Sequence, residues 1–97
     1  MSLVRYFYRR ETAAGINRVF TVAYTHDRDT GSTEYGASVF RQERANEPFV
    51  KAHHRHTAEQ RRVKCPVRVA VSGATWTEIE DAIRDSIRVN GVKGDRV

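Results

Sequence analysis

The chain has 97 residues, of which 39% are hydrophobic and 30% charged, with a formal net charge of +5 and an isoelectric point near 9.9. That length makes one domain rather than two and buries roughly 60–70% of the surface the unfolded chain exposes, enough for a modest core without mandatory cross-links. The composition lies far from that of a disordered chain, and a single cysteine, Cys65, excludes an intrachain disulfide.

Leu3, Arg5, Phe7 and Arg9 alternate with Val4, Tyr6 and Tyr8, the two-residue period of a strand with aromatic rings on both faces. Ala13 to Asn17 breaks the alternation. A second strand is predicted from Arg18 to His26, with Phe20, Val22 and Tyr24 on one face and Val19, Thr21 and Ala23 on the other. Asp27 to Ser32 is rich in turn formers, and a third strand follows from Thr33 to Arg41, with Tyr35, Ala37 and Val39 sharing a face. The second and third strands therefore read as a hairpin that the first joins as a meander.

Gln42 to Pro48 is polar and irregular. From Phe49 to His56 the sequence leaves the conformation open; Thr57-x-x-Gln60 has the spacing of a capping box, predicting a short helix from Ala58 to about Lys64, with a turn from Phe49 ahead of it as an option, that Pro66 ends. Val67, Val69 and Val71 then alternate with Arg68, Ala70 and Ser72 as a fourth strand. The last element carries the clearest signal. Thr77-x-x-Glu80 reads as a second capping box, Trp76, Ile79, Ile83 and Ile87 recur at helical spacing, and acids precede Arg84 and Arg88 as the helix dipole favours. Asn90-Gly91 supplies the stop.

The expected architecture is α+β: a three- to four-stranded, mainly antiparallel sheet in the order β-β-β-short α-β-α, with the C-terminal helix packed on one face. Residues 1–91 form the expected single domain and 92–97 a flexible tail. Either sheet edge offers a route to a homodimer.

The charge excess has a location. Between Arg41 and Arg68 lie eight basic residues (Arg41, Arg44, Lys51, Arg55, Arg61, Arg62, Lys64, Arg68) against three acids (Glu43, Glu47, Glu59), while the rest of the chain holds nine of each sign. His53, His54 and His56 fall in the same stretch and add charge if protonated. Gathered cations neutralise phosphates and release their counterions, the main source of sequence-independent nucleic-acid affinity. The candidate nucleic-acid-binding set is thus Arg44, Lys51, His53, His54, Arg55, His56, Arg61, Arg62 and Lys64, with Arg5, Arg9 and Arg10 as extensions. The bland alternative is a solvated surface that keeps the domain soluble. Tyr6, Phe7 and Tyr8 among arginines suit base stacking on an open sheet face, but a strand under a helix also needs large rings for its core.

Other chemistry is weakly signalled. His53-His54-x-His56 with Cys65 supplies zinc-ligand types, but adjacent histidines diverge on a helix or a strand and the neighbouring arginines repel a dication. His26 with Asp27 and Asp29 offers acid–base groups for a small nuclease, with no spacing that forces them together. Cys65, before Pro66, reads as core or near-core. No cofactor motif is present.

The residues point first to a non-enzymatic basic binding protein for nucleic acid. The alternative is an interaction or assembly module, such as a virus- or phage-encoded accessory or inhibitory factor, that docks on an acidic protein or self-associates. No signal-peptide core follows the N-terminus, and no run approaches the ~20 apolar residues of a membrane span. An intracellular protein is the expectation, with cytoplasm and nucleus undistinguished.

Overall fold

The computed structural model describes residues 3–42, 47–71 and 75–92. Six elements follow in order: β1 (Arg5–Ala13), β2 (Ile16–His26), β3 (Ser32–Gln42), α1 (Lys51–Lys64), β4 (Val67–Ala70) and α2 (Trp76–Asn90). The strands pair in chain order, β1-β2-β3-β4, every pair antiparallel. The expected α+β class and the C-terminal helix on the sheet are both present.

Each turn follows from its residues. Ala14 and Gly15, at φ 53° and 76°, join β1 to β2; two central residues at positive φ are what a type I′ hairpin requires. Asp27 organises the next turn, its carboxylate accepting from the Asp29 amide at 2.9 Å and its carbonyl from the Gly31 amide at 2.8 Å.

Directly paired residues share a face, so the register sorts the sheet into two. Phe7, Val22 and Ala37 form one row and Tyr24 and Tyr35 the next; α2 covers these with Ile79, Ile83 and Ile87 to make the core. Tyr24 is fully buried, donates to Glu80 Oε2 at 2.7 Å and accepts from Arg5 Nε at 3.2 Å. Its phenol is pushed up to about 12, by burial first and then by the Glu80 hydrogen bond. The opposite face carries Tyr6, Tyr8, Thr21, Ala23, Gly36, Ser38 and Phe40, and α1 lies across it with Ala58 fully buried. The domain is thus three layers, helix–sheet–helix.

Both helix starts differ from expectation. The α2 cap is Thr75, whose hydroxyl accepts from the Glu78 amide at 3.2 Å while Glu78 Oε1 accepts from the Thr75 amide at 3.3 Å. Thr77-x-x-Glu80 does not cap, because Glu80 is recruited by Tyr24 instead. Helix α1 begins at Lys51, seven residues before the expected start, behind Val50 with no side-chain cap. Thr57 lies inside the helix, where its hydroxyl donates to the His53 carbonyl at 3.1 Å. The C-terminal half of α1 lies directly on the sheet: Gly36 offers no Cβ, and the backbone of Ala58, Arg61 and Arg62 occupies that space. Cys65 is the half-buried C-cap, its amide donating to the Arg61 carbonyl at 2.8 Å. Val92, read from sequence as the start of the tail, packs against the core, and 93–97 lie outside the described residues.

Candidate functional site

An α-helix turns about 100° per residue, so the burial of Ala58 fixes which way each α1 side chain points. His54, Arg61 and Arg62 fall within about 60° of Ala58 and face the sheet, as do Lys51 and Arg55, whose long side chains reach the tyrosines of β1 and stay exposed. His54 shares a hydrogen bond with Ser38 (Nδ1 to Oγ 2.9 Å), stacks on Phe49 at 5.0 Å and meets the Phe40 ring at 5.4 Å. Burial holds its imidazole below the usual 6.5, with a smaller push from neighbouring His53. Arg61 Nη1 donates to the Ala37 carbonyl at 2.7 Å, on a stretch of β3 that β4, paired only with Ser32–Tyr35, does not reach. Arg62 pairs with Glu59.

Lys51, His53, Arg55, His56 and Lys64 are exposed. Two of them are positioned by β1. Arg55 lies 5.2 Å from the Tyr6 ring and 5.7 Å from that of Tyr8, and its Nε donates to the Tyr8 hydroxyl; Lys51 Nζ sits 5.0 Å from the Tyr8 ring. These cation–π contacts restrict long side chains that would otherwise wander. Arg10 is exposed on the same side of the sheet. Of the sequence-derived set, the structure brings these α1 residues to one helix, turns His54, Arg61 and Arg62 inward, and leaves Arg44 outside the described residues.

The start of α1 is locally unfavourable: no acid lies in its first turn, its N-cap makes no side-chain bond, and Lys51 stands where the dipole is already positive, whereas Arg61, Arg62 and Lys64 in the last turn suit the dipole.

The aromatic strand is not an open stacking platform. Tyr6 and Tyr8 are half-buried beneath Arg55 and Lys51, and Phe7 is in the core with Arg84 5.0 Å from its ring. Arg5 leaves this side altogether and lies 3.9 Å from the Trp76 ring.

On the α2 face the sequence missed a second basic region. An eleven-residue strand spans about 36 Å and the fifteen-residue α2 about 22 Å, so one end of the sheet face stays uncovered. There a cleft of ≈520 Å³ opens over Phe7, Phe20, Val22 and Val39, with Ile87 and Val92 as its wall. Five arginines rim it (Arg9, Arg18, Arg41, Arg84, Arg88) against one acid, Glu11. Glu11 pairs with Arg18 at 2.5 Å and Arg9 at 4.0 Å, while Arg84 and Arg88 are held by Asp81 and Asp85 at 2.7 and 3.1 Å. The signal available in sequence was the mismatch of helix and strand lengths.

His26, the acid–base candidate, is turned into the core, sharing a 2.7 Å hydrogen bond with Thr33 and lying 6.3 Å from the Trp76 ring. Asp27 and Asp29 build the turn described above. Among the described residues no group of three or more His, Cys, Asp or Glu is placed to hold a metal, and no helix is long and apolar enough to cross a membrane. Comparison with known proteins returns nothing: no family model, no curated protein and no solved structure matches the chain. Function therefore has to be argued from the geometry.

Proposed function

We infer that the protein is a non-enzymatic nucleic-acid-binding domain that engages the phosphate backbone through the exposed cations of α1. One observation carries this reading. Lys51, His53, Arg55, His56 and Lys64 are all exposed along a single helix whose one acid, Glu59, is already paired with Arg62. Two of these cations are held over tyrosine rings, which lowers the ordering entropy that binding must overcome. Lys51 at the uncapped start of α1 supports the same conclusion, because sequences depart from local rules most often at functional sites.

The test is fluorescence anisotropy with labelled duplex and single-stranded oligonucleotides over a salt series. A plot of log affinity against log salt should fall with a slope of about −0.9 per phosphate contact on duplex DNA, and each lost contact reduces the slope by about one. A double variant K51Q/R55Q should bind more weakly with a shallower slope. Salt-independent binding, or unchanged binding by the double variant, overturns the reading.

A second reading, docking on an acidic protein, is favoured by Tyr6 and Tyr8, half-exposed beside Arg55, since tyrosine and arginine anchor protein interfaces. Pull-down with and without nuclease separates the two: partners that survive digestion support the protein reading.

A further inference from the structure

Strand β1, nine residues from Arg5 to Ala13, pairs with β2 on one side, and among the described residues no strand pairs with its outer edge. We propose that a second copy of the chain does so, antiparallel to the first about a two-fold axis through Tyr8, joining two four-stranded sheets into one of eight. Pairing there uses backbone groups of β1 rather than the cations of α1, and so stands independently of the nucleic-acid reading.

Hairpin geometry fixes which backbone groups point outward. Ala14 and Gly15 form a two-residue turn closed by the Ala13–Ile16 pair, and the residues flanking such a turn bond to each other. Bonded and non-bonded pairs alternate along an antiparallel ladder. Arg5, Phe7, Arg9 and Glu11 therefore direct their N–H and C=O groups to β2, and Tyr6, Tyr8, Arg10 and Thr12 direct theirs away from the sheet. Proteins blunt such edges with proline, a bulge or a very short strand. Strand β1 has no proline, and its register with β2 runs unbroken for nine pairs. The other side of the sheet is differently covered. Strand β4 pairs with Ser32–Tyr35, and just beyond it Arg61 takes the outward Ala37 carbonyl.

Charge then selects the register. Outward groups must meet outward groups, so the two-fold axis runs through a residue of β1 rather than between two. With the axis at Phe7, Arg5 would face Arg9; with the axis at Arg9, Arg10 or Glu11, that residue would face its own copy. Like charges directly across a sheet repel. An axis at Tyr6 or Thr12 overlaps only three residues of β1. The axis at Tyr8 opposes no like charges: Tyr8 faces Tyr8, Tyr6 faces Arg10, Phe7 faces Arg9 and Arg5 faces Glu11. This selection keeps like charges apart and needs no free carboxylate, so it holds with Glu11 bound to Arg18. Tyr6, Tyr8 and Arg10 each exchange both backbone bonds with the residue opposite, and the exposed Arg10 gains a tyrosine ring. A two-fold normal to the sheet keeps both α1 helices on one face. Each copy carries a net charge of +5, so repulsion opposes pairing, and salt that screens it favours pairing.

The experiment is sedimentation equilibrium of the intact, nuclease-treated chain in ~0.5 M salt, which screens the repulsion and releases any bridging polyanion. A monomer–dimer equilibrium with Kd below about 0.5 mM is expected. Isotope-filtered NMR on a mixture of labelled and unlabelled chains reads the register. The α-protons of Phe7 and Arg9 should meet between copies, because non-bonded pairs bring their backbones closest. Arg10→Pro deletes an outward amide at an exposed position on the edge, where a strand tolerates proline, and should raise Kd by about tenfold or more with the spectrum of the helices unchanged. K51Q/R55Q should not weaken the dimer, so failure of the α1 reading and failure of this one are separately visible. A chain that stays monomeric at about 0.5 mM, a dimer unaffected by Arg10→Pro, or contacts between copies at another edge or register overturns the proposal.

Discussion

Gly36 and Arg62 meet backbone to backbone: a Cβ built on Gly36 would lie 2.2 Å from the Arg62 amide nitrogen and 2.4 Å from the Ala58 carbonyl oxygen. Neither atom belongs to a flexible side chain, so α1 as a whole would have to lift from the sheet. Gly36→Ala is expected to cost about 3 kcal/mol, at or above the upper end of overpacking losses, read as a lowered urea midpoint. It should also loosen the α1 face and with it any phosphate binding. Full stability in this variant would mean that α1 does not dock where the structure places it.

The two threonines at the start of α2 separate cap from body. Thr75→Ala removes the hydroxyl that accepts from the Glu78 amide while keeping the backbone amide that donates to Glu78, and should cost about 0.5–2 kcal/mol. Thr77→Ala, an exposed position inside the first turn, should change stability by less than about 0.5 kcal/mol. Urea denaturation of both variants checks the order, and the reverse order would restore the cap to Thr77.

These two cases show where the sequence was legible. The strand alternation and the isoleucine spacing of α2 are local signals, and strands, faces and sheet order follow from them with end shifts of one or two residues. Helix α1 was only half legible. Its first turn, Lys51-Ala52-His53-His54, carries no side-chain cap and no apolar stripe, so nothing local marks the start. Which cations stay exposed (Lys51, Arg55, Lys64) and which are half-buried (Arg61, Arg62) depends on contacts with the sheet that the sequence does not show. The cleft was illegible for a different reason. Its arginines come from β1, β2, β3 and α2, and only Arg41 belongs to the stretch where charge accumulates along the chain. Neutrality in sequence did not mean neutrality in space.

His54 links stability to pH. The folded protein prefers its imidazole neutral, because burial and His53 both disfavour the charged form. The unfolded chain therefore binds this proton more readily than the folded one. The stabilisation is complete above the ordinary value of 6.5 and is lost as pH falls below it. The urea midpoint should accordingly be lower at pH 5 than at pH 7.5, with hydrogen-exchange protection, relative to the intrinsic rate at each pH, falling first in the N-terminal turns of α1. His54→Phe keeps the ring among Phe40 and Phe49 and should flatten the acid limb. A pH dependence unchanged by that substitution would assign it to other groups.

Thr21 is fully buried beneath α1, and its hydroxyl finds no hydrogen-bond partner among the described residues. Its direct cross-strand neighbour Ser38 is also buried, yet that hydroxyl is engaged by His54. The two positions should respond oppositely to loss of their polar atom. Thr21→Val replaces an unsatisfied hydroxyl with a methyl of similar size and should raise stability by about 1 kcal/mol, since a buried polar group without a partner carries its desolvation penalty uncompensated. Ser38→Ala strands the His54 nitrogen and should lower stability by about 1–2 kcal/mol. Urea midpoints of the two variants measure both. A destabilised Thr21→Val would show that the hydroxyl is satisfied after all, and that the sheet face under α1 holds a polar contact at Thr21 as well as at Ser38.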